Sequence, residues 1–412
     1  PTHKNSYYRK FLKWRYKNIS EKNFVLILSA IVGLLAGLAS VTLKNITYSV
    51  SSMLEHGIIF SENQLYFILP FIGLLLVYLS KKILLRNGLR PAIPSFIKRA
   101  IPSLLYSLLR QNGMLSYKLI YHPLIMAPLT VGFGGSVGLL GPAITSGSAI
   151  SSNLGRLLHV DSKTRTLLIA CATSGAVASM FKTPIAAIVF AIELFSLDLT
   201  FVSLLPLLMA SISSVLTSYF FLGDETLFSF DIVDKFVIND AAPYILLGLG
   251  TGIGSIYFTK IYFAVYSFFD RFKTPFLKVL VGGLTIGVML YFIPPLYGEG
   301  LSFTKDLFDG NHLQALGATP FDDFIDNIWV VIALLIGFTI FKTFAMTVTF
   351  AAGGVGGVII PTMVMGSALG NVVAKIINNL GLGIEVSEAN FTLVGMAGLI
   401  TGVIHAPLTA IF

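Results

Sequence analysis

Two short turns in this sequence share one kind of chemistry. Gly134-Gly-Ser-Val-Gly-Leu-Leu-Gly-Pro142 and Gly353-Gly-Val-Gly-Gly-Val-Ile-Ile-Pro361 contain no cationic side chain, so a ligand there must be met by backbone. A glycine-rich run ending in proline predicts the start of a helix. Glycine lets the chain bend, and proline suits the first helical turn. The first amides of such a helix lack intrahelical partners and carry the positive end of its dipole. Two such ends facing each other make a site for a small anion. A site built from amides is attractive enough to fill and weak enough to empty, which conduction requires.

The turns belong to a larger repeat. Residues 174–189 align without gaps on residues 397–412, with Gly175 over Gly398 and Pro184 over Pro407. Each half of the chain therefore reads glycine-rich turn, proline, helix, small-residue helix, proline, helix. Corresponding Gly/Pro-interrupted segments in two halves mark an internal repeat with a site between the copies. The organisation expected is a basic segment at 1–23, a first transmembrane repeat at 24–223 and a second at 224–412. The second copy stops inside an apolar run at Phe412, so further helices are expected beyond it.

The elements that hold these turns must lie in lipid. The chain is 55% hydrophobic and only 12% charged, against about a quarter charged in a soluble domain. Stretches free of Asp, Glu, Lys and Arg cover 24–42, 65–80, 119–155, 166–181, 183–192, 199–223, 241–259, 279–298, 327–341, 343–374 and 389–412. A membrane span needs about 20 apolar residues, and several of these are shorter or broken by Gly and Pro. Broken helices are tolerated at membrane depth where protein or water covers the freed backbone, so the breaks predict an ion path. The fold expected is an all-α membrane protein of two inverted repeats with broken pore helices.

Net charge is +8, and His3, Lys4, Arg9, Lys10, Lys13, Arg15 and Lys17 all precede the first acid, Glu21. This reads as a cytoplasmic juxtamembrane segment under the positive-inside rule, with no nucleic-acid partner expected. It lacks the short apolar core and cleavage site of a signal peptide. The single Cys171 excludes an intramolecular disulfide framework.

The motifs resemble those of the CLC family of chloride channels and proton–chloride antiporters. Gly138-Leu-Leu-Gly-Pro142 sits where that family has Gly-x-Glu-Gly-Pro. Gly356-Gly-Val-Ile-Ile-Pro361 is similar to Gly-Gly-x-Phe-x-Pro, with Ile359 replacing the pore phenylalanine. Phe181-Lys-Thr-Pro-Ile-Ala-Ala-Ile-Val-Phe-Ala-Ile-Glu193 resembles the family's Asn-Ala-Pro-Leu-Ala-Gly stretch with its Glu-Glu pair, and Tyr297-Gly-Glu-Gly300 a loop before the second pore helices. The resemblance implies a homodimer with one anion pore per subunit. It implies anion contacts at Leu139, Leu140, Gly141, Val358 and Ile359, and an inner-gate serine position near Gly88 in Asn87-Gly-Leu-Arg-Pro91. It also implies no cofactor, chloride being the transported ion.

The departures bear on mechanism. The family's gating glutamate falls on Leu140 and its inner proton-transfer glutamate on Leu194, while the pore tyrosine would lie beyond Phe412. With both carboxylates replaced, the expected protein is a passive chloride channel in lipid, in a bacterial inner membrane, with a cytoplasmic N-terminus. The rivals are a proton-coupled or fluoride-selective antiporter with another proton route, and a cation-coupled secondary transporter. The pore turns hold no acid for a cation, and no catalytic grouping argues for an enzyme. Arg90, Lys182 and His405 are candidate anion-attracting residues, although capping or snorkelling suits the last two. Glu193 reads as a structural carboxylate. Asp322, Asp323 and Asp326 read as a complement to a helix N-terminus. Residues 199–221, apolar almost all round, lie where the family has its dimer helix.

Overall fold

The computed structural model describes residues 10, 13–57, 64–84, 113–198, 200–224, 241–316, 327–381 and 385–412. Gly88, Arg90, Asp322, Asp323 and Asp326 lie outside them. The chain runs through α1 (Glu21–Gly57), α2 (Gln64–Leu84), α3 (Lys118–Gly132), α4 (Leu140–Leu157), α5 (Ser162–Phe181), α6 (Pro184–Phe195) and α7 (Phe201–Leu222). It continues through α8 (Ala241–Asp270), α9 (Pro275–Phe292), a single 3-10 turn (Pro294–Leu296), α10 (Leu301–Phe308), α11 (His312–Leu316), α12 (Ile328–Ala351), α13 (Ile359–Asn379), α14 (Glu388–Ile404) and α15 (Pro407–Ile411). Eight of these, α1, α2, α5, α7, α8, α9, α12 and α13, are long and apolar enough to cross a membrane.

Two helices run well past the ends of their uncharged stretches. α1 continues past Lys44 to Gly57, and α8 past Lys260 to Asp270. A lysine carries its apolar stem along the helix and delivers only the ammonium elsewhere; Lys44 Nζ donates to Met180 O at 3.0 Å. The stretch 119–155 divides as expected into α3 and α4 around the first glycine-rich turn. In the basic segment, Arg15 is buried under the Phe24 ring, 3.7 Å from its centroid, rather than turned outward.

The repeat is visible in the backbone. α5 ends on Lys182 and α14 on His405, both left-handed, with φ of 58° and 60°. Each is followed two residues later by the proline that opens the next helix, Pro184 or Pro407. A non-glycine residue in this conformation costs about 1–2 kcal/mol, so both copies accept the same local strain to make the same reversal.

Small residues let the helices approach closely. A Cβ on Gly370 of α13 would lie 1.9 Å from Phe391 O of α14, and one on Gly33 of α1 would lie 2.1 Å from Ala210 O of α7. Between α5 and α7 the contact is polar. Ser174 Oγ and Ser211 Oγ share a 2.6 Å bond, and Ser214 and Ser218 donate to the carbonyls of Gly175 and Ser179. These bonds satisfy hydroxyls that lipid could not.

Candidate functional site

The two glycine-rich turns meet. Gly138 N donates to Gly357 O at 2.9 Å and Gly357 N donates to Gly138 O at 2.6 Å, a two-bond antiparallel bridge. Around it the halves exchange contacts symmetrically. Ser136 N reaches Thr349 Oγ1 of α12, and Val355 N reaches Thr130 Oγ1 of α3. Within each half, Gly135 N bonds Thr130 O and Gly354 N bonds Thr349 O, both at 2.8 Å. The crossing requires glycine: a Cβ at Gly357 would lie 2.6 Å from Gly141 N.

The bridge brings two helix starts together. α4 begins at Leu140 and α13 at Ile359, each two residues before its proline. The predicted anion contacts Leu139, Leu140, Gly141, Val358 and Ile359 therefore converge on one point, where two dipoles present their positive ends. Leu140 is almost fully buried, and Ile359 is 6% exposed.

The other sequence candidates fall away from this point. Lys182 Nζ donates to Gly223 O and lies 4.7 Å from the Tyr219 ring centroid. That is a helix-end and ring contact. His405 is an exposed helix cap. Leu194 packs partly buried against the main core. Glu193 is a structural carboxylate: it accepts from Leu408 N at 3.0 Å, Thr409 N at 2.9 Å and Thr409 Oγ1 at 2.6 Å. It thus ties α6 in the first repeat to α15 in the second.

Two ionisable side chains beside the bridge were not among the sequence candidates. Glu299 Oε1 accepts a 2.6 Å hydrogen bond from Leu139 N, beside the start of α4. Its loop is held on every side. Ser136 Oγ donates to Leu296 O, and Tyr297 donates its hydroxyl to Gly132 O. Lys342 Nζ, fully buried in α12, donates to Leu296 O at 3.2 Å and Gly298 O at 2.9 Å. Gly298 and Gly300 flank the glutamate with φ of 57° and 86°, a reversal that side chains resist. The available signal was Lys342 itself, a charge between two uncharged runs, which in a membrane helix marks function by default.

Residues 92–412 match the voltage gated chloride channel family. A putative chloride channel protein, ClcB-like, of Ralstonia nicotianae is 26% identical over 287 residues, covering 68% of this chain and 63% of its own. The H(+)/Cl(-) exchange transporter ClcA of Vibrio campbellii is 23% identical over 291 residues, covering 68% and 58%. This chain thus spans about three fifths of the length of these curated relatives. Among solved structures, a CLC-type fluoride/proton antiporter superposes with TM-score 0.72 at 22% identity, over 93% of this chain and 88% of that one. A slow cyanobacterial Cl-/H+ antiporter superposes with TM-score 0.76 at 19% identity, over 96% and 88%. At such identities the structures carry the fold alone, and the family match carries membership. With the paired turns, the repeat and this match in agreement, the chain belongs to the CLC family of voltage gated chloride channel proteins.

Proposed function

We propose that this protein is a passive chloride channel of the plasma membrane, its N-terminus cytoplasmic and its anion held by backbone amides at the facing starts of α4 and α13. The observation that carries the reading is the two-bond bridge between Gly138 and Gly357, which aligns two positive helix ends on one point. Leucine at 140 and at 194 supports uncoupled conduction, since neither side chain can hold a proton. The test is a chloride gradient across proteoliposomes with a pH dye inside. Chloride is expected to move with no stoichiometric proton movement. Sustained uphill proton movement driven by chloride would overturn the channel reading.

A second reading, a proton-coupled exchanger for chloride or fluoride, is favoured by one observation. Glu299 is a carboxylate within hydrogen-bond distance of the pore backbone. The same proteoliposome experiment, run with fluoride as well, separates the two.

We also propose a homodimer through α7, where Phe201 and Phe220 are 82% and 83% exposed and Leu205, Met209, Ile212 and Leu216 are exposed between them. Cysteines introduced along this outer face are expected to cross-link in native membranes. Monomers alone, in lipid at low expression, would refute it.

A further inference from the structure

We propose that Glu299 is the plug of the anion site: as a carboxylate it occupies the Leu139 amide in place of an anion, and as a neutral acid it releases that amide. The inference rests on the anion-site reading above and adds its regulation. In the CLC pattern the gate is a glutamate within the first turn, a position filled here by Leu140. Glu299 reaches the adjacent amide from a different loop, 160 residues away in sequence.

Three features distinguish a plug from an ordinary cap. The Glu299 carboxylate bonds an amide at the point where two helix dipoles converge, so an anion and the carboxylate seek the same partner. The equivalent amide of the second turn, Val358 N, has no carboxylate against it among the described residues. The loop backbone is tied down by Ser136, Tyr297 and Lys342, so release needs only rotation of the Glu299 side chain.

Protonation moves one proton from solution onto the carboxylate, which then loses its charge and its claim on the amide. The charged groups facing Glu299 are Lys342 from α12 and Lys44 from α1. The first turns of α4 and α13 carry no ionisable side chain, and on α10 the neighbours of Asp306 are Lys305 and Asp309. Burial pushes the Glu299 carboxyl up, to about 6, against the pull of the Leu139 amide and the two lysines. The neutral form is therefore populated as pH falls through that value. What remains is the released Leu139 amide at a positive helix end, which favours an anion.

The test reads chloride flux from proteoliposomes at equal pH on both sides. The parent is expected to conduct roughly tenfold or more faster at about pH 5 than at about pH 8, following the neutral fraction of one carboxyl. Glu299→Gln is expected to conduct at the parent's acid rate at both values. A purely structural cap predicts the opposite, reduced flux with the pH profile unchanged, and that result overturns the proposal. Chloride binding to the purified parent, by calorimetry at the same two values, covers the case where Glu299→Gln fails to fold. Tighter binding at acid pH supports the plug, and equal binding refutes it. Chloride-driven proton pumping by the parent would refute the channel reading alone, since the flattened profile of Glu299→Gln would still stand.

Discussion

Valine at Gly141 is expected to abolish chloride flux. A Cβ at this position would lie 2.8 Å from Gly357 Cα and 3.2 Å from Gly356 O, backbone atoms that cannot rotate aside. Overpacking of this kind costs about 1–3 kcal/mol. Here the strain falls on the paired bonds between Gly138 and Gly357. Forcing the turns apart separates the two helix ends. An amide bond to a charged ligand contributes about 1.5–3 kcal/mol, so losing one weakens anion binding by roughly tenfold to a hundredfold. Gly252→Val is the control, because nothing lies within 4 Å of its Cβ position on α8. Efflux from proteoliposomes, with chloride calorimetry on the same preparations, checks the result. Parent-like conduction by Gly141→Val would remove this crossing from the anion path.

Lys342→Met should be the most destabilising single change that keeps side-chain volume. Its ammonium is fully buried and donates to Leu296 O and Gly298 O, in the loop that carries Glu299. Each charge-assisted bond contributes about 1.5–3 kcal/mol, and losing the donor leaves two carbonyls unsatisfied. A lower melting temperature in detergent is the first readout. The second is the pH profile. Lys342 favours the charged form of Glu299, so its removal lets the carboxyl hold a proton at higher pH. The rise in chloride flux should then move to higher pH. Melting and profile both unchanged would deny Lys342 any part in holding the loop.

The turns, the repeat and the membrane class were legible because glycine, proline and charge act locally. A Gly-rich run ending in proline announces a helix start whatever surrounds it. The expected starts at Pro142 and Pro361 came within two residues of the observed Leu140 and Ile359. Helix ends were less legible. Lys182 and His405 close α5 and α14 in a left-handed conformation that neither residue type announces, and the lengths of α1 and α8 were hidden by lysines that a membrane helix accommodates. The structural part of Glu193 was anticipated, but its partners Leu408 and Thr409 lie in the other repeat and only packing brings them to it.

By itself, then, the sequence determined that this is a helical membrane protein with a duplicated pair of amide-rich turns. Those properties follow from composition, period and residue type. Only the tertiary structure decided that the two turns bond each other, and that a carboxylate from residue 299 caps the amide of Leu139. The physical reason is range. Propensity and periodicity act over one or two helical turns, whereas the partner of an orphan amide at a helix start is chosen by whatever the packed chain brings beside it.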